Sequence, residues 1–221
     1  MKRRILKKAI AGILSAAICL SILTGCSNAN IKDPDKTMDA FYQLMIYQKT
    51  KTMSNLGIDK EESGETLKEY RSSMISTFQD SFSSAGVSIT RQQASDIFDA
   101  VSKKFAQLDY KVTIVKEDNK EAEVKVSSQY IDYLKIFKDA KTATVNELKP
   151  QHIEKLSDAK KQLVANIIEG FENAEISTDM HSKTFSLKLQ KIKSGKNTIK
   201  LFFPENAEQT GADFIKLVTN Q

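Results

Sequence analysis

The stretch YKVTIVKEDNKEAEVKV, residues 110–126, decides the fold because its apolar residues alternate with polar ones. The apolar members occupy every second position on both sides of a charged turn at 117–120: Tyr110, Val112 and Ile114, then Ala122, Val124 and Val126. A period of two residues is that of a strand with one buried and one wet face. The stretch therefore predicts an antiparallel β-hairpin.

On both sides of this hairpin the apolar residues recur every three or four positions, which predicts helices. The predicted helices are about 34–50, 65–82, 90–105, 130–141, 150–170 and 210–219, with a loop at 55–64. Thr90 and Gln93 form a capping box at the start of the third helix. A second hairpin is predicted at 185–203, with its turn at 194–196 and Pro204 after it.

The order helices, hairpin, helices, hairpin, helix predicts an α+β fold, with helices packed on one face of antiparallel hairpins. The two halves are roughly alike, so a duplication of two units is the alternative. No linker rich in Pro, Gly or Ser divides them. We therefore expect a single α+β extracytoplasmic domain over residues 33–221.

The first 25 residues have the pattern of a secretory signal. Residues 2–8 hold five basic side chains and no acid, and residues 9–24 are apolar or small. These 16 residues are fewer than the ~20 that a bilayer-spanning helix needs. The sequence therefore predicts a cleaved signal peptide. A retained transmembrane anchor is the alternative.

The end of the signal, Leu23-Thr24-Gly25-Cys26, resembles the lipobox of bacterial lipoproteins. The resemblance implies cleavage between Gly25 and Cys26 and a diacylglyceryl group on the Cys26 thiol. Residues 1–25 are then the lipoprotein signal peptide and 26–32 a lipidated tether. The lipobox resemblance also implies that the protein is lipid-anchored on the outer face of the bacterial cell membrane, with the bilayer as its partner. Two acyl chains hold a protein stably, whereas one binds reversibly.

Removal of the signal changes the charge of the chain. The whole sequence carries 33 Lys and Arg against 28 Asp and Glu, and the five basic residues of the signal account for the entire excess. A mature chain of 28 against 28 does not have the basic character that nucleic-acid binding requires. Cys19 leaves with the signal and Cys26 is lipidated, so no disulfide or thiol chemistry is expected.

A second resemblance concerns the domain. The apolar stripe of residues 34–50, which contains Met38, Phe41 and Met45, and the pattern Ala-x-Val-x-Val at 122–126 are similar to cystatin-like domains of the nuclear-transport-factor-like group. With the lipobox, the chain resembles lipoproteins of Gram-positive bacteria that carry a domain of unknown function. This resemblance implies a pocket between helix and sheet, and it supplies no catalytic residues.

Residues suited to catalysis or metal binding are few. His152 follows Pro150 at a predicted helix start, where a polar side chain is ordinary. His181 lies in Asp179-Met180-His181-Ser182, but the members of a catalytic triad are matched in space rather than in sequence, and no nucleophile elbow is present. The residues predict no enzyme, no cofactor and no metal site.

The aromatic residues Tyr130, Tyr133 and Phe137 permit two interpretations. Their helical spacing favours packing in the core, whereas tyrosine hydroxyls could also line a ligand pocket. We expect a non-catalytic interaction module for a protein or cell-envelope component, or alternatively a small-molecule binding module with a pocket between helices and sheet. An apolar cavity lined by these tyrosines would favour the second, and an apolar surface patch the first.

Overall fold

The computed structural model describes residues 21–22, 31–149 and 156–221. The signal-cleavage site at Gly25 and Cys26, most of the tether, and the predicted helix start around His152 lie outside these ranges. No helix within the ranges is long and apolar enough to cross a membrane.

Six strands form one sheet in the described part of the chain. They are β1 (Ser21–Ile22), β2 (Ile31–Lys32), β3 (Tyr110–Glu117), β4 (Glu121–Ser128), β5 (His181–Ser194) and β6 (Asn197–Pro204). Their order is β2-β6-β5-β4-β3, and β1 pairs with β5. β3 to β6 are antiparallel to their neighbours, while the short β2 runs parallel to β6.

Seven helices occur in the described ranges. They are α1 (Pro34–Met45), α2 (Lys51–Asn55), α3 (Lys60–Ser84), α4 (Arg91–Phe105), α5 (Tyr133–Leu148), α6 (Leu156–Glu172) and α7 (Ala207–Thr219). The predicted α+β class is confirmed.

Both predicted hairpins form, and they belong to one sheet. Val112 pairs with Val126 in the first hairpin, and Val124 pairs with Phe185 where the two hairpins meet. Asp118 closes the first turn by accepting the backbone N–H groups of Lys120 and Glu121, which holds the pKa of its carboxyl below the usual range.

As predicted, helices pack on one face of the sheet, and α1 and α7 do so directly. Tyr42 of α1 and Phe185 of β5 both contact the ring of Phe214 in α7, with centroid distances of 5.6 and 5.0 Å. The opposite face of β4 carries exposed charges such as Glu123 and Lys125. α3 to α6 pack mainly on one another and form an outer helical layer.

Several helix boundaries differ from the prediction, including both ends of α5, which spans Tyr133–Leu148 rather than 130–141. The first helix ends at Met45 rather than near 50, because Gln48 adopts a left-handed backbone conformation with φ of 56°. The predicted loop at 55–64 is wrong over its last part, since α3 already begins at Lys60. The Asp59 side chain caps this helix, and acidic residues in a first turn are favourable.

The alternation predicted for β6 is incomplete, because Leu201, Phe202 and Phe203 are all buried. One side of the strand faces the helices of the core. The other side, near the β5–β6 turn, is covered by the α2–α3 segment, where the Asp59 N–H donates to the Ser194 hydroxyl. A strand buried on both sides loses the period of two.

Candidate functional site

An apolar groove separates the C-terminal half of α3 from α5 and α7. It encloses about 160 Å³ and is open to solvent on one side. All of its lining residues come from helices or from the residues that follow them: Met74, Thr77, Phe78, Ser81, Phe82, Ala85, Val101, Phe105, Tyr133, Phe137, Ile215, Thr219 and Gln221. The groove therefore lies between helices, and not between helices and sheet as the resemblance implied.

Regular helical spacing places these side chains on the wall. Met74, Phe78 and Phe82 of α3 are four residues apart, and so are Tyr133 and Phe137 of α5. Side chains at such intervals share one face of a helix. The groove is thus walled by one apolar stripe from each helix.

Local contacts hold α5 in position at the mouth of the groove. The Asp132 side chain accepts the backbone N–H of Lys135 and caps the helix. The backbone N–H of Ile131 donates to the carbonyl of Val218 in α7 at 3.1 Å, which ties the start of α5 to the end of α7.

The aromatic rings of this wall form a connected cluster. The ring centroid of Phe137 lies 4.8 Å from that of Tyr133 and 6.1 Å from that of Phe82 across the groove. Fully buried Phe171 of α6 packs behind Phe137 at 5.7 Å. Such ring contacts are favourable and stabilise this wall of the groove.

The wall carries few polar groups and no charged side chain. The Thr219 hydroxyl already donates to the Ile215 carbonyl. Within the described ranges the Tyr133 hydroxyl has no hydrogen-bond partner, and burial raises the pKa of this phenol, which stays protonated as a donor. A wall of uncharged side chains with a few hydroxyl groups, those of Thr77, Ser81 and Tyr133, suits an apolar ligand that carries a polar group.

Two of the three aromatic residues singled out in the sequence, Tyr133 and Phe137, thus lie in the groove. Tyr130 lies outside it, because α5 begins only at Tyr133; its ring stacks on His181 at a centroid distance of 4.1 Å. The α3 residues Met74 and Phe78 have ordinary helical spacing, and nothing in that spacing distinguishes a groove wall from a packed interface.

The other polar residues noted in the sequence, at Asp179–Ser182 and at the β5–β6 turn, make structural contacts. His181 is exposed, and the neighbouring Ser182 hydroxyl is within hydrogen-bond distance of Ser127 rather than of an imidazole. The Ser194 hydroxyl and the Gly195 N–H both donate to the Glu62 carboxylate, which anchors the β5–β6 turn to α3. His152 lies outside the described ranges.

A second, polar cavity of about 550 Å³ lies between α5 and α6. Its charged lining residues are mostly acidic: Asp132, Asp139, Glu147, Glu169 and Glu175, with Lys135 paired to Asp139. The Asn166 side chain spans it by donating to Thr144 and Glu147. Across the described part of the chain, no three carboxylate, imidazole or thiol groups are arranged to hold a metal ion.

A tyrosine cluster at the contact of α1 with β3 has a different character. Tyr42 stacks on Tyr110 with a centroid distance of 4.0 Å. The Tyr42 hydroxyl donates to Ser128, and the Tyr110 hydroxyl donates to the carboxylate of Asp39. Every hydroxyl in this cluster has a partner, so it functions as packing.

Comparison with known proteins identifies the fold and no family. No protein-family model matches the sequence, and no curated protein matches it. A crystal structure of the "putative lipoprotein" ycdA from Bacillus subtilis subsp. subtilis str. 168 is similar, with a TM-score of 0.65 and 13% sequence identity. The match covers 85% of this chain and 56% of that one, so this chain spans little more than half the length of ycdA.

Proposed function

We propose that the mature protein is a lipid-anchored extracytoplasmic domain that binds the apolar part of a small molecule in the groove between α3, α5 and α7. The observation that carries this function is a half-open groove, lined by aromatic and other uncharged side chains, which no side chain of the described residues fills. A contiguous apolar surface in a concave, solvent-accessible groove is typical of a binding site.

The size of the groove limits the ligand. An engineered cavity of about 150 Å³ admits benzene, and the enclosed volume here is about 160 Å³. One aromatic ring or a short length of acyl chain therefore fits inside, while the rest of the molecule extends through the open side. In this proposal the Tyr133 hydroxyl donates to a polar group of the ligand.

A protein or cell-envelope partner is the second candidate, favoured by exposed apolar residues on β3 at the edge of the sheet. Ile114 and Val115 are 42% and 55% exposed. An unpaired edge can accept a partner strand. A register shift between Ile114 and Lys116, and the adjacent lysine, blunt this edge in the way that proteins protect free strands. We therefore rank the groove first.

The lipid anchor is the second part of this proposal. It is based on the sequence Leu23-Thr24-Gly25-Cys26. The similarity in fold to a protein described as a lipoprotein agrees with it. Metabolic labelling with a clickable fatty acid should mark the wild type and Cys19→Ser but not Cys26→Ser. Equal label on all three chains would contradict lipidation at Cys26.

A matched pair of substitutions on α3 tests the groove. Ser81 lines it, whereas Ser83 is exposed on the same helix and is not among the lining residues. The fluorescence of 1-anilinonaphthalene-8-sulfonate with residues 27–221 reports binding, and dodecanoate should displace the dye. Ser81→Phe should raise both dissociation constants by about tenfold or more, equivalent to a loss of about 1.4 kcal/mol, and Ser83→Phe should leave them unchanged.

A far-ultraviolet spectrum and a melting curve should show that both variants fold. Equal binding by folded Ser81→Phe and Ser83→Phe would place the ligand elsewhere. Binding of the dye without displacement by dodecanoate would retain the groove and remove acyl chains as the ligand class.

A further inference from the structure

The tip of the β5–β6 hairpin combines a concentration of lysines with a position next to the tether. Residues 191–200 contain Lys191, Lys193, Lys196 and Lys200 and no acidic residue. We call these four lysines the basic tip. Within the described ranges none of them forms an ion pair.

Strand register places most of the basic tip on one side of the hairpin. Lys191 is directly opposite Lys200, and Lys193 is opposite Thr198. Because alternate residues share a face, Lys191, Lys193 and Lys200 lie on the same side, and Lys196 is in the turn.

The other side of the hairpin faces the protein. Ile192 and Ile199 are buried there, and the Glu62 carboxylate is occupied by its hydrogen bonds to Ser194 and Gly195. The two acidic residues that contact the turn, Asp59 and Glu62, are thus on the side of Ser194 and not on that of the lysines.

The tether reaches the protein beside this tip. Ile31 and Lys32 pair in parallel with Lys200 and Leu201. Cys26 is five residues before Ile31, and five residues span at most about 17 Å. A lipid on Cys26 would be held within that distance of the first half of β6.

We propose that the basic tip contacts the anionic phospholipid surface of the membrane and so fixes the orientation of the anchored domain. This inference rests on the lipid anchor proposed above, and is independent of the groove. Lysines close to a membrane are attracted to anionic lipid, and the attraction decays within a Debye length. With β5 standing away from the bilayer, its other end at His181 lies about 45 Å from the tip.

Two single-cysteine variants of the lipidated protein test the orientation. Asn197→Cys places a fluorophore at the basic tip, and Thr178→Cys places it just before the far end of β5; both positions are exposed. The thiol of Cys26 carries the lipid, so only the introduced cysteine reacts. Energy transfer to an acceptor on lipid headgroups is measured in vesicles that contain phosphatidylglycerol and in vesicles of phosphatidylcholine alone.

We expect strong transfer from position 197 and weak transfer from position 178 on phosphatidylglycerol vesicles. The difference should shrink on phosphatidylcholine, in 1 M salt, and when all four lysines of the basic tip are replaced by glutamine. The matched control replaces the surface lysines Lys68, Lys103, Lys138 and Lys160 by glutamine and should retain it.

Equal transfer from the two positions would overturn the proposal, as would a difference that persists in salt and without the four lysines. Flotation of the protein with the vesicles is scored separately. Failure to float contradicts the anchor and the orientation that depends on it, whereas flotation with equal transfer contradicts the basic tip alone.

Discussion

The tyrosine cluster between α1 and β3 and the groove beside α3 both contain aromatic residues. Their tyrosines have opposite surroundings. Tyr42 is completely buried, stacks on Tyr110, and donates its hydroxyl to Ser128. Tyr133 also packs on aromatic rings, but it lines an open space, and its hydroxyl has no partner within the described ranges. In one region the side chains fill the volume and satisfy each polar atom, and in the other they do neither.

This difference between the two regions shows which of them still has unused contacts for a ligand. A filled interface has used its dispersion contacts and hydrogen bonds for stability. An unfilled apolar wall retains both for a ligand. Substitutions in the first region should therefore change stability, and substitutions in the second should change binding.

The largest effect should come from breaking the packed face of the sheet. Leu187 is fully buried on β5, so Leu187→Asp would bury an unpaired charge and cost several kcal/mol, enough to unfold the domain. Lys188 is exposed and pairs with Glu205 at 3.3 Å. Lys188→Gln should change the free energy of unfolding by less than about 1 kcal/mol. Urea unfolding of both variants is the measurement, and similar midpoints would show that the faces are misassigned.

Alkaline pH should next weaken the fold as a whole, because buried tyrosines with a raised pKa occur in both regions. Burial raises the pKa of Tyr42, Tyr70 and Tyr110 above the ordinary value of about 10. A folded-state pKa above the unfolded one contributes stability that is complete below pH ~10 and is lost as pH rises towards the folded value.

The free energy of unfolding should thus fall above pH 10, and Tyr42→Phe should fall less steeply than wild type. Urea titrations at a series of pH values measure both slopes. Identical slopes would mean that Tyr42 ionises as readily in the folded protein as in the unfolded chain.

The same substitution, tyrosine to phenylalanine, can be made in both regions. Its expected effects on stability are smaller than those above. Tyr42→Phe removes a buried hydrogen bond and should cost about 1 kcal/mol of stability. Tyr133→Phe removes a hydroxyl without a partner and should leave stability within about 0.5 kcal/mol, while weakening the binding of dodecanoate. Equal stability losses, measured by urea unfolding, would mean that the two tyrosines do not differ in function.

The hairpins could be predicted from sequence because their signals are local. The alternation between 110 and 126 places Val124 and Val126 in the core, and Thr90 with Gln93 forms the predicted capping box. Each signal depends on residues close in sequence, so no knowledge of the remaining chain is needed.

The groove could be predicted only in part. Helical period shows which face of α3 is apolar, but it does not show whether another helix fills the space opposite. Met74 and Phe78 on the groove wall therefore have the same pattern as Phe98 inside the core. Tyr130 was grouped with the α5 aromatics because the helix was expected to begin before its cap, Asp132.

The methionine methyl groups can report whether the groove binds an apolar ligand while the rest of the core stays closed. Residues 26–221 contain five, and their positions in the fold separate them into three classes. Met74 lines the groove, Met38, Met45 and Met53 are buried in the core, and Met180 is exposed.

The decisive measurement is a titration of methyl-¹³C-methionine protein, residues 27–221, with dodecanoate, followed by NMR. We expect the Met74 methyl resonance to shift and saturate while the resonances of Met38 and Met53 stay in place. In Ser81→Phe the Met74 shift should be lost. A Met74 resonance that does not move, or a shift shared equally by Met38 and Met53, would contradict the groove as the binding site.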